Sequence, residues 1–511
     1  MPPISIESPR RATPPATSLQ TDLIPLLVIA AADILIHLAT NGRYGFHRDE
    51  LQFLVDARHM DWGFVAYPPF TSFMEHIGLA LFGLSLVGLR LFSVLTQAIA
   101  IVITGLMARE LGGNRFAQAT AALVIALSPL PMFEGTEFQY SSFDYLWWVL
   151  IAYFTVRLLK SENPRWWLGI GAAVGMGLLT KYSIIFFIAG VLGGMVLSRA
   201  RRYFLSPWFW AGVALALVIF LPNFLWQVHH NFISYTFLQR IHARDVRIGR
   251  ADDFLIGQIR ICINFAAAPI ALAGLISFLR DSRYRMLAWM YFIPLALFYF
   301  GKGRNYYLAA AYPMLIAMGA VGIVRWLASL PKIARRSIVA VYYAGLAFCG
   351  AYICAIILPL ASSGPLRDFA LKRNGDLREE FGWDELVRKV AGIRDSLPPD
   401  QQAHLGIAVG NYGERGAIEL FGPAYHLPQP ISTVNSAWLL GYPTHPPTTI
   451  IVLGNSEKSA NEIFTACRLA GHNANSLGIP NEESDDHPDI FVCGPPRKSW
   501  ADVWKEHQDF G

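Results

Sequence analysis

The chain has 511 residues, of which 54% are hydrophobic and 13% aromatic but only 15% charged, and its formal net charge is +5. An ordinary soluble domain carries about 25% charged residues, so this composition excludes one, and the lack of a Lys/Arg-rich block argues against a nucleic-acid partner. The five cysteines, Cys262, Cys349, Cys354, Cys467 and Cys493, show no metal-ligand spacing. Buried free thiols are the simplest reading. Pairing of Cys467 with Cys493 requires their domain to be extracytoplasmic.

Residues 1–20, rich in Pro, Ser and Thr, read as a disordered cytoplasmic tail. The next segment, LIPLLVIAAADILIHLA, carries Asp33 and His37 and has no small-residue cleavage site after it. It is predicted to be a retained transmembrane helix rather than a cleaved signal peptide. Asp33 and His37 lie four apart on one face of that helix, where they pack against a neighbour or meet substrate. Further apolar segments centre near residues 98, 124, 150, 173, 190, 216, 268, 292, 316 and 347. With the first, they predict about eleven spans.

With the N-terminus in the cytoplasm, Arg109, Arg115, Arg157, Lys160, Arg165 and the basic runs 199–202, 280–285 and 325–336 all fall inside. Most acids, including Asp49, Glu50, Asp56, Glu75, Glu134, Glu137 and Asp245, fall outside. An odd number of spans then puts the C-terminus outside too. From about residue 362 the long apolar runs stop. FGWDELVRKVAGIRDSL has helical periodicity, HLGIAVG, TTIIVLG and DIFVCGPP read as buried strands, and SANEIFTACRLAG reads as a helix between two of them. NYGERGAIELFG lacks dinucleotide-binding spacing and reads as a packed loop. The expected architecture is an α-helical polytopic membrane protein, with residues 21–361 transmembrane and 362–511 forming a small extracytoplasmic α/β domain.

Polar chemistry recurs in four outer segments, FHRDELQFL, AYPPFTSFMEH, GTEFQYSSFD and FGKGRNYYLAAAYP. Their convergence above an apolar bundle marks an active-site candidate. Asp49 and Glu50 are adjacent, so on a helix they point about 100° apart. One is expected to face a cavity, with its pKa raised by apolar walls so that it serves as general base, and the other to pair with Arg48 or Arg43. Lys302 and Arg304, beside Tyr306 and Tyr307, suit a phosphate on a lipid chain, or snorkel at the interface. Asp144 and Arg90 enter transmembrane helices, where ionisable residues face the bundle as functional groups or structural ion pairs. Lys181 reaches an anion or snorkels. A metal site from Glu75, His76, His229, His230 and His242 is conceivable, but no spacing singles it out, so no cofactor is assigned and a divalent metal is unsupported.

These residues together resemble the bacterial glycosyltransferase family 39 proteins of the GT-C superfamily, relatives of protein O-mannosyltransferases and lipid A aminoarabinose transferases. The resemblance rests on RDELQFL, YPPFTSF, LFGLSLVGLRLFSVL, ARELGGNRFAQ, SSFDYLWW, LLTKYS, LPNFLWQ and GKGRNYYLAAAYPML in that order. It implies a multi-pass enzyme of the bacterial inner membrane that moves a hexose or pentose from a polyprenyl-phosphate donor, with inversion, to a hydroxyl of a glycan, lipid or protein acceptor outside the cytoplasm. On that resemblance Asp49, in the first-loop acidic motif with Glu50, takes the general-base role. Lys302 and Arg304, with Lys181 and Arg90 behind them, hold the phosphate, and Tyr67, Tyr306 and Tyr307 line the path. Many relatives carry Lys before the first-loop Pro-Pro where this chain has Tyr67, which moves weight onto Lys302 and Arg304. A transporter or flippase of a lipid-linked sugar, or a non-catalytic assembly subunit, are the competing classes.

Overall fold

The computed structural model describes residues 19–510, so the tail expected over 1–20 lies outside the described residues except for its last two, which begin the first helix, Leu19–Thr40. Each of the eleven predicted apolar segments falls on a helix. Among the described residues six are long and apolar enough to cross a membrane: Gln20–Thr40, Leu86–Glu110, Tyr140–Ser161, Pro207–His229, Asn305–Ala328 and Lys332–Ile357. Ile184–Val196 continues into Arg199–Leu205 through a 102° bend. Arg115–Ala126, Trp166–Leu178, Ala268–Arg280 and Arg285–Phe300 are shorter. A 13-residue helix is about 20 Å long, short of the roughly 30 Å hydrocarbon core, so the expectation of eleven full spans reduces to a multi-pass bundle of six or seven such helices with shorter apolar helices between them.

Glycines let these helices touch through backbone. Gly171 abuts Gly212, and Gly274 and Gly319 abut the carbonyls of Leu315 and Ile270, the close packing that small residues allow in membranes. Charges mark one end of the bundle: Asp22 pairs with Arg109 (2.9 Å) and Arg115 (3.1 Å), and Glu110 with Arg157 (3.1 Å) and Lys160 (2.9 Å).

The C-terminal part packs on the opposite end. Its sheet comprises β1 (Leu405–Ala408), β2 (Pro430–Ile431), β3 (Thr449–Val452), β4 (Arg468–His472) and β5 (Asp489–Cys493), in the order β2-β1-β3-β5-β4. β1 runs parallel to β2 and β3, whereas β5 is antiparallel to β3 and β4. Three strands and the Trp383–Asp395 helix fall where the pattern placed them. Two expectations are corrected. The helix expected over SANEIFTACRLAG spans only Glu457–Ile463, and RLAGH forms β4 instead, where the Cys467–Cys493 disulfide ties the following residues to β5. That disulfide also replaces the free-thiol reading for Cys467 and Cys493, whereas Cys262, Cys349 and Cys354 are free. NYGERGAIELFG is no loop: Asn411 caps a helix, Tyr412–Phe421, by accepting from the Glu414 amide (2.9 Å). Cys467→Ser is expected to lower the stability of this domain by about 2–4 kcal/mol, measured by chemical unfolding with and without reductant; equal stability in both would remove the disulfide from the account.

Candidate active site

A cavity of about 720 Å³ opens between the helical bundle and the sheet domain. The short helix Arg48–Arg58 forms its polar wall. His47 caps that helix: its Nδ1 accepts from the Asp49 amide (3.2 Å), while its own amide donates to Glu50 Oε2 (2.8 Å). The two acids then part, as their angular separation requires. Asp49 lines the cavity, where Oδ2 accepts from Gln139 Nε2 (3.0 Å) and Oδ1 from the Tyr412 hydroxyl (2.9 Å). Burial pushes its pKa up, but the charges of His47 and Arg48 and those two hydrogen bonds outweigh it and hold the carboxyl below its ordinary value. The expectation of a raised pKa is therefore reversed, and Asp49 is ionised at neutral pH.

Glu50 points into the wall instead. Arg90 donates to both its oxygens, Nε to Oε1 (2.8 Å) and Nη2 to Oε2 (2.7 Å). Both side chains are buried and lie off the cavity. A catalytic Glu50 and a substrate-binding Arg90 do not fit this placement, because each saturates the other. Arg48 and Arg43 are likewise not Glu50's partners: Arg48 pairs with Glu482 and Glu483, and Arg43 meets the carbonyls of Pro359 and Leu360. Asp144 also lies off the cavity, accepting from Trp148 Nε1 (3.2 Å) and Ser183 (3.4 Å).

Tyr67, Lys181, Lys302, Arg304, Tyr306 and Tyr307 do line the cavity. Arg304 is engaged by Asp245, through Nε (2.6 Å) and Nη2 (3.1 Å). Lys181 differs: its ammonium stands over the rings of Tyr140 (4.7 Å), Tyr306 (5.2 Å) and Tyr307 (4.8 Å). Lys181 and Lys302 are the lining lysines, and neither forms an ion pair with a carboxylate among the described residues. Lys302 sits exposed in the left-handed region (φ 50) between Gly301 and Gly303. Tyr67 donates to Asp56 (2.5 Å) and meets Ser72 (3.1 Å). Near Lys181, Glu134 accepts from Ser141 (2.8 Å) and Ser142 (3.0 Å), and burial pushes its carboxyl up to about 7. Ile185, Phe186, Leu238, Ile241, Leu297 and Phe298 supply an apolar side.

The conceivable metal set is not assembled: His76 Nδ1 meets the Ala57 carbonyl (2.9 Å), and His230 stacks on Trp226. Among the described residues, His47, Glu137 and Asp376 could hold a metal ion, with one ligand atom each lying within 4.8 Å of the others. Gln139, Tyr140 and Glu134 went unassigned although two of them lie in a quoted outer segment. Tyr412 and Asp245 carry no local signal at all.

A multi-pass membrane protein with an ionised carboxylate and a lysine in no ion pair among the described residues, both facing one apolar-sided cavity, is the class that fold and site define. Residues 66–226 match the family described as dolichyl-phosphate-mannose-protein mannosyltransferase. The chain is 26% identical over 368 residues to the lipid A galacturonosyltransferase RgtD of Rhizobium johnstonii, covering 70% of this chain and 74% of that one. It is 25% identical to the undecaprenyl phosphate-alpha-4-amino-4-deoxy-L-arabinose arabinosyl transferase 1 of Pseudomonas fluorescens (strain Pf0-1), covering 61% and 60%. The fold is similar to that of ArnT from Cupriavidus metallidurans solved with undecaprenyl phosphate: TM-score 0.54, 16% identity, 93% of this chain and 98% of that one. The resemblance read from the sequence is borne out: the chain is similar to bacterial lipid A and undecaprenyl-phosphate-dependent glycosyltransferases.

Proposed function

We propose that this chain is an inverting glycosyltransferase that moves a sugar from a polyprenyl-phosphate donor to an acceptor hydroxyl at the outer face of the membrane. The observation that carries this reading is the pairing, across one cavity, of ionised Asp49 with Lys181, a cation that forms no ion pair with a carboxylate among the described residues. Asp49 removes the proton of the acceptor hydroxyl as its oxygen attacks the anomeric carbon. The bond from that carbon to the phosphate oxygen breaks, and polyprenyl phosphate leaves unprotonated because cations hold its charge. Asp245 already neutralises Arg304, so Lys181, with Lys302 at the rim, takes the phosphate. Tyr140, Tyr306 and Tyr307 orient the Lys181 ammonium, and the apolar side receives the first prenyl units at about 25 cal/mol per Å² buried.

Two features support an extracytoplasmic site. The basic cluster around Arg109, Arg115, Arg157 and Lys160 lies at the far end of the bundle, as positive-inside bias requires. The Cys467–Cys493 disulfide suits an oxidising compartment. The names of the relatives, which act on lipid A or use an undecaprenyl-phosphate sugar, support a polyprenyl-phosphate donor and an envelope glycolipid acceptor.

The test uses purified protein in lipid, a panel of undecaprenyl-phosphate sugars and lipid A, following release of undecaprenyl phosphate. Release that depends on acceptor supports the reading; none from any donor with matched acceptor extract counts against it. Lys181→Met is expected to weaken undecaprenyl phosphate binding by about 10–100-fold, the size of a charge-assisted contact of about 1.5–3 kcal/mol. Equal binding, measured by titration calorimetry in nanodiscs, would move the phosphate to Lys302.

A further inference from the structure

We propose that Tyr412, carried by the C-terminal sheet domain, is a positioning residue that holds the Asp49 carboxylate in its working orientation, so that the cavity is complete only with that domain docked. This rests on the reading of Asp49 as general base. The two Asp49 oxygens are held from different parts of the chain: Gln139 of the bundle donates to Oδ2 at 3.0 Å, and Tyr412, more than 360 residues away in sequence, donates to Oδ1 at 2.9 Å. Two donors on two oxygens fix the plane of the carboxylate and leave its remaining lone pairs for an incoming hydroxyl. The phenol is suited to donate, because burial, then the Asp49 charge, raises its pKa well above the ordinary value and keeps the proton on it.

The placement of Tyr412 is built in. It lies four residues before Gly416, on the same face of the Tyr412–Phe421 helix. A Cβ on Gly416 would stand 2.6 Å from Leu51 Cβ and 2.8 Å from its carbonyl oxygen, so only glycine lets this helix cross the Arg48–Arg58 helix so closely. Arg48 covers the Tyr412 ring at 4.7 Å and is itself held by Glu482 and Glu483 of the sheet domain. The sheet domain therefore holds both Tyr412 and Arg48, two of the groups that act on Asp49. The charged and titratable groups that interact with Asp49 are His47 and Arg48 on its own segment, Tyr140, Tyr306 and Tyr412, with Glu137 linked to it through Gln139.

The test is Tyr412→Phe, which keeps the ring and its packing and removes only the hydroxyl. Turnover of undecaprenyl-phosphate sugars is compared with native protein, and the Asp49 carboxylate is titrated by infrared difference against Asp49→Asn. Loss of a hydrogen bond to the ionised form is expected to raise the titration midpoint and the acid limb of the rate by about one to two pH units, with kcat down about tenfold and undecaprenyl phosphate binding unchanged. Gly416→Val, which forces the helices apart, is expected to give the same midpoint shift. An unchanged midpoint in Tyr412→Phe, in protein whose native binding of undecaprenyl phosphate shows it to be folded, overturns the proposal, whatever happens to kcat. A shifted midpoint in a chain that turns over no donor supports the contact and instead overturns Asp49 as the base of a transferase.

Discussion

Replacing Asp49 with asparagine is expected to lower kcat by about 10²–10⁴-fold, the usual contribution of a general base, while leaving binding of undecaprenyl phosphate unchanged. Asparagine keeps the size of the side chain and its carbonyl can still accept from Tyr412 or Gln139, so the wall of the cavity survives and only the proton acceptor is lost. The charge change is tolerable because His47 retains Glu137 and Asp376 nearby (3.7 and 3.8 Å) and Arg48 retains Glu482 and Glu483. The native profile carries a second signature. The folded pKa of Asp49 is depressed, so the active, ionised form is present above the ordinary aspartate value of about 3.9 and is lost only as pH falls through the lowered value. A limb of the native rate that vanishes in Asp49→Asn and lies below pH 4 is the expected result. A variant that turns over like native protein would remove Asp49 from the chemistry and leave the cavity as a binding or transport site.

The split between Asp49 and Glu50 shows where the sequence is legible and where it stops. Two adjacent acids on a helix cannot share a task, and that much follows from helix geometry. Which of them faces the cavity is decided by Arg90, 40 residues on, and an arginine entering a helix reads equally as a functional or a structural group. Arg304 was read as a free phosphate-binding cation for the same reason: its partner Asp245 sits on Ile233–Arg247, a helix with no pattern pointing at it. The apolar helices were legible because Leu, Ile, Val and Phe runs long enough to cross a bilayer have few other uses. Their lengths were less so, since a short helix inside a bundle and a full span share a composition. In the C-terminal part, strands buried on both faces showed as apolar runs, but β4, at the sheet edge and largely exposed, had no such run to show. Tyr412 was invisible because its importance lies in a contact made across the whole chain.

Arg90→Met is expected to cost about 3–5 kcal/mol of stability, because it leaves buried acids without their counter-charge. Arg90 is fully buried and spends its whole donor fork. Beyond Glu50, Nη1 donates to the Asn41 carbonyl (2.9 Å) and Nη2 to the Gly45 carbonyl (3.1 Å), with Glu380 Oε2 at 3.4 Å. Glu50 in turn accepts from the amides of His47 and Phe138, each at 2.8 Å. One guanidinium thus ties the first loop, the Leu86–Glu110 helix and the C-terminal part to a single point directly behind Asp49. Arg90→Lys is expected to rescue little, since an ammonium cannot reproduce the bidentate fork. Pairing Arg90→Met with Glu50→Gln is expected to recover much of the loss by removing the main stranded charge, a coupling that a double-mutant cycle reads directly. Thermal unfolding in lipid measures the four proteins of the cycle (native, Arg90→Met, Glu50→Gln and the double variant) and Arg90→Lys. If Arg90→Met unfolded at the native temperature, the pair would carry no structural weight, and Glu50 would return as a candidate for the chemistry beside Asp49. If the double variant were no better than Arg90→Met alone, the cost would lie in the lost carbonyl contacts of Asn41 and Gly45 rather than in the buried charge.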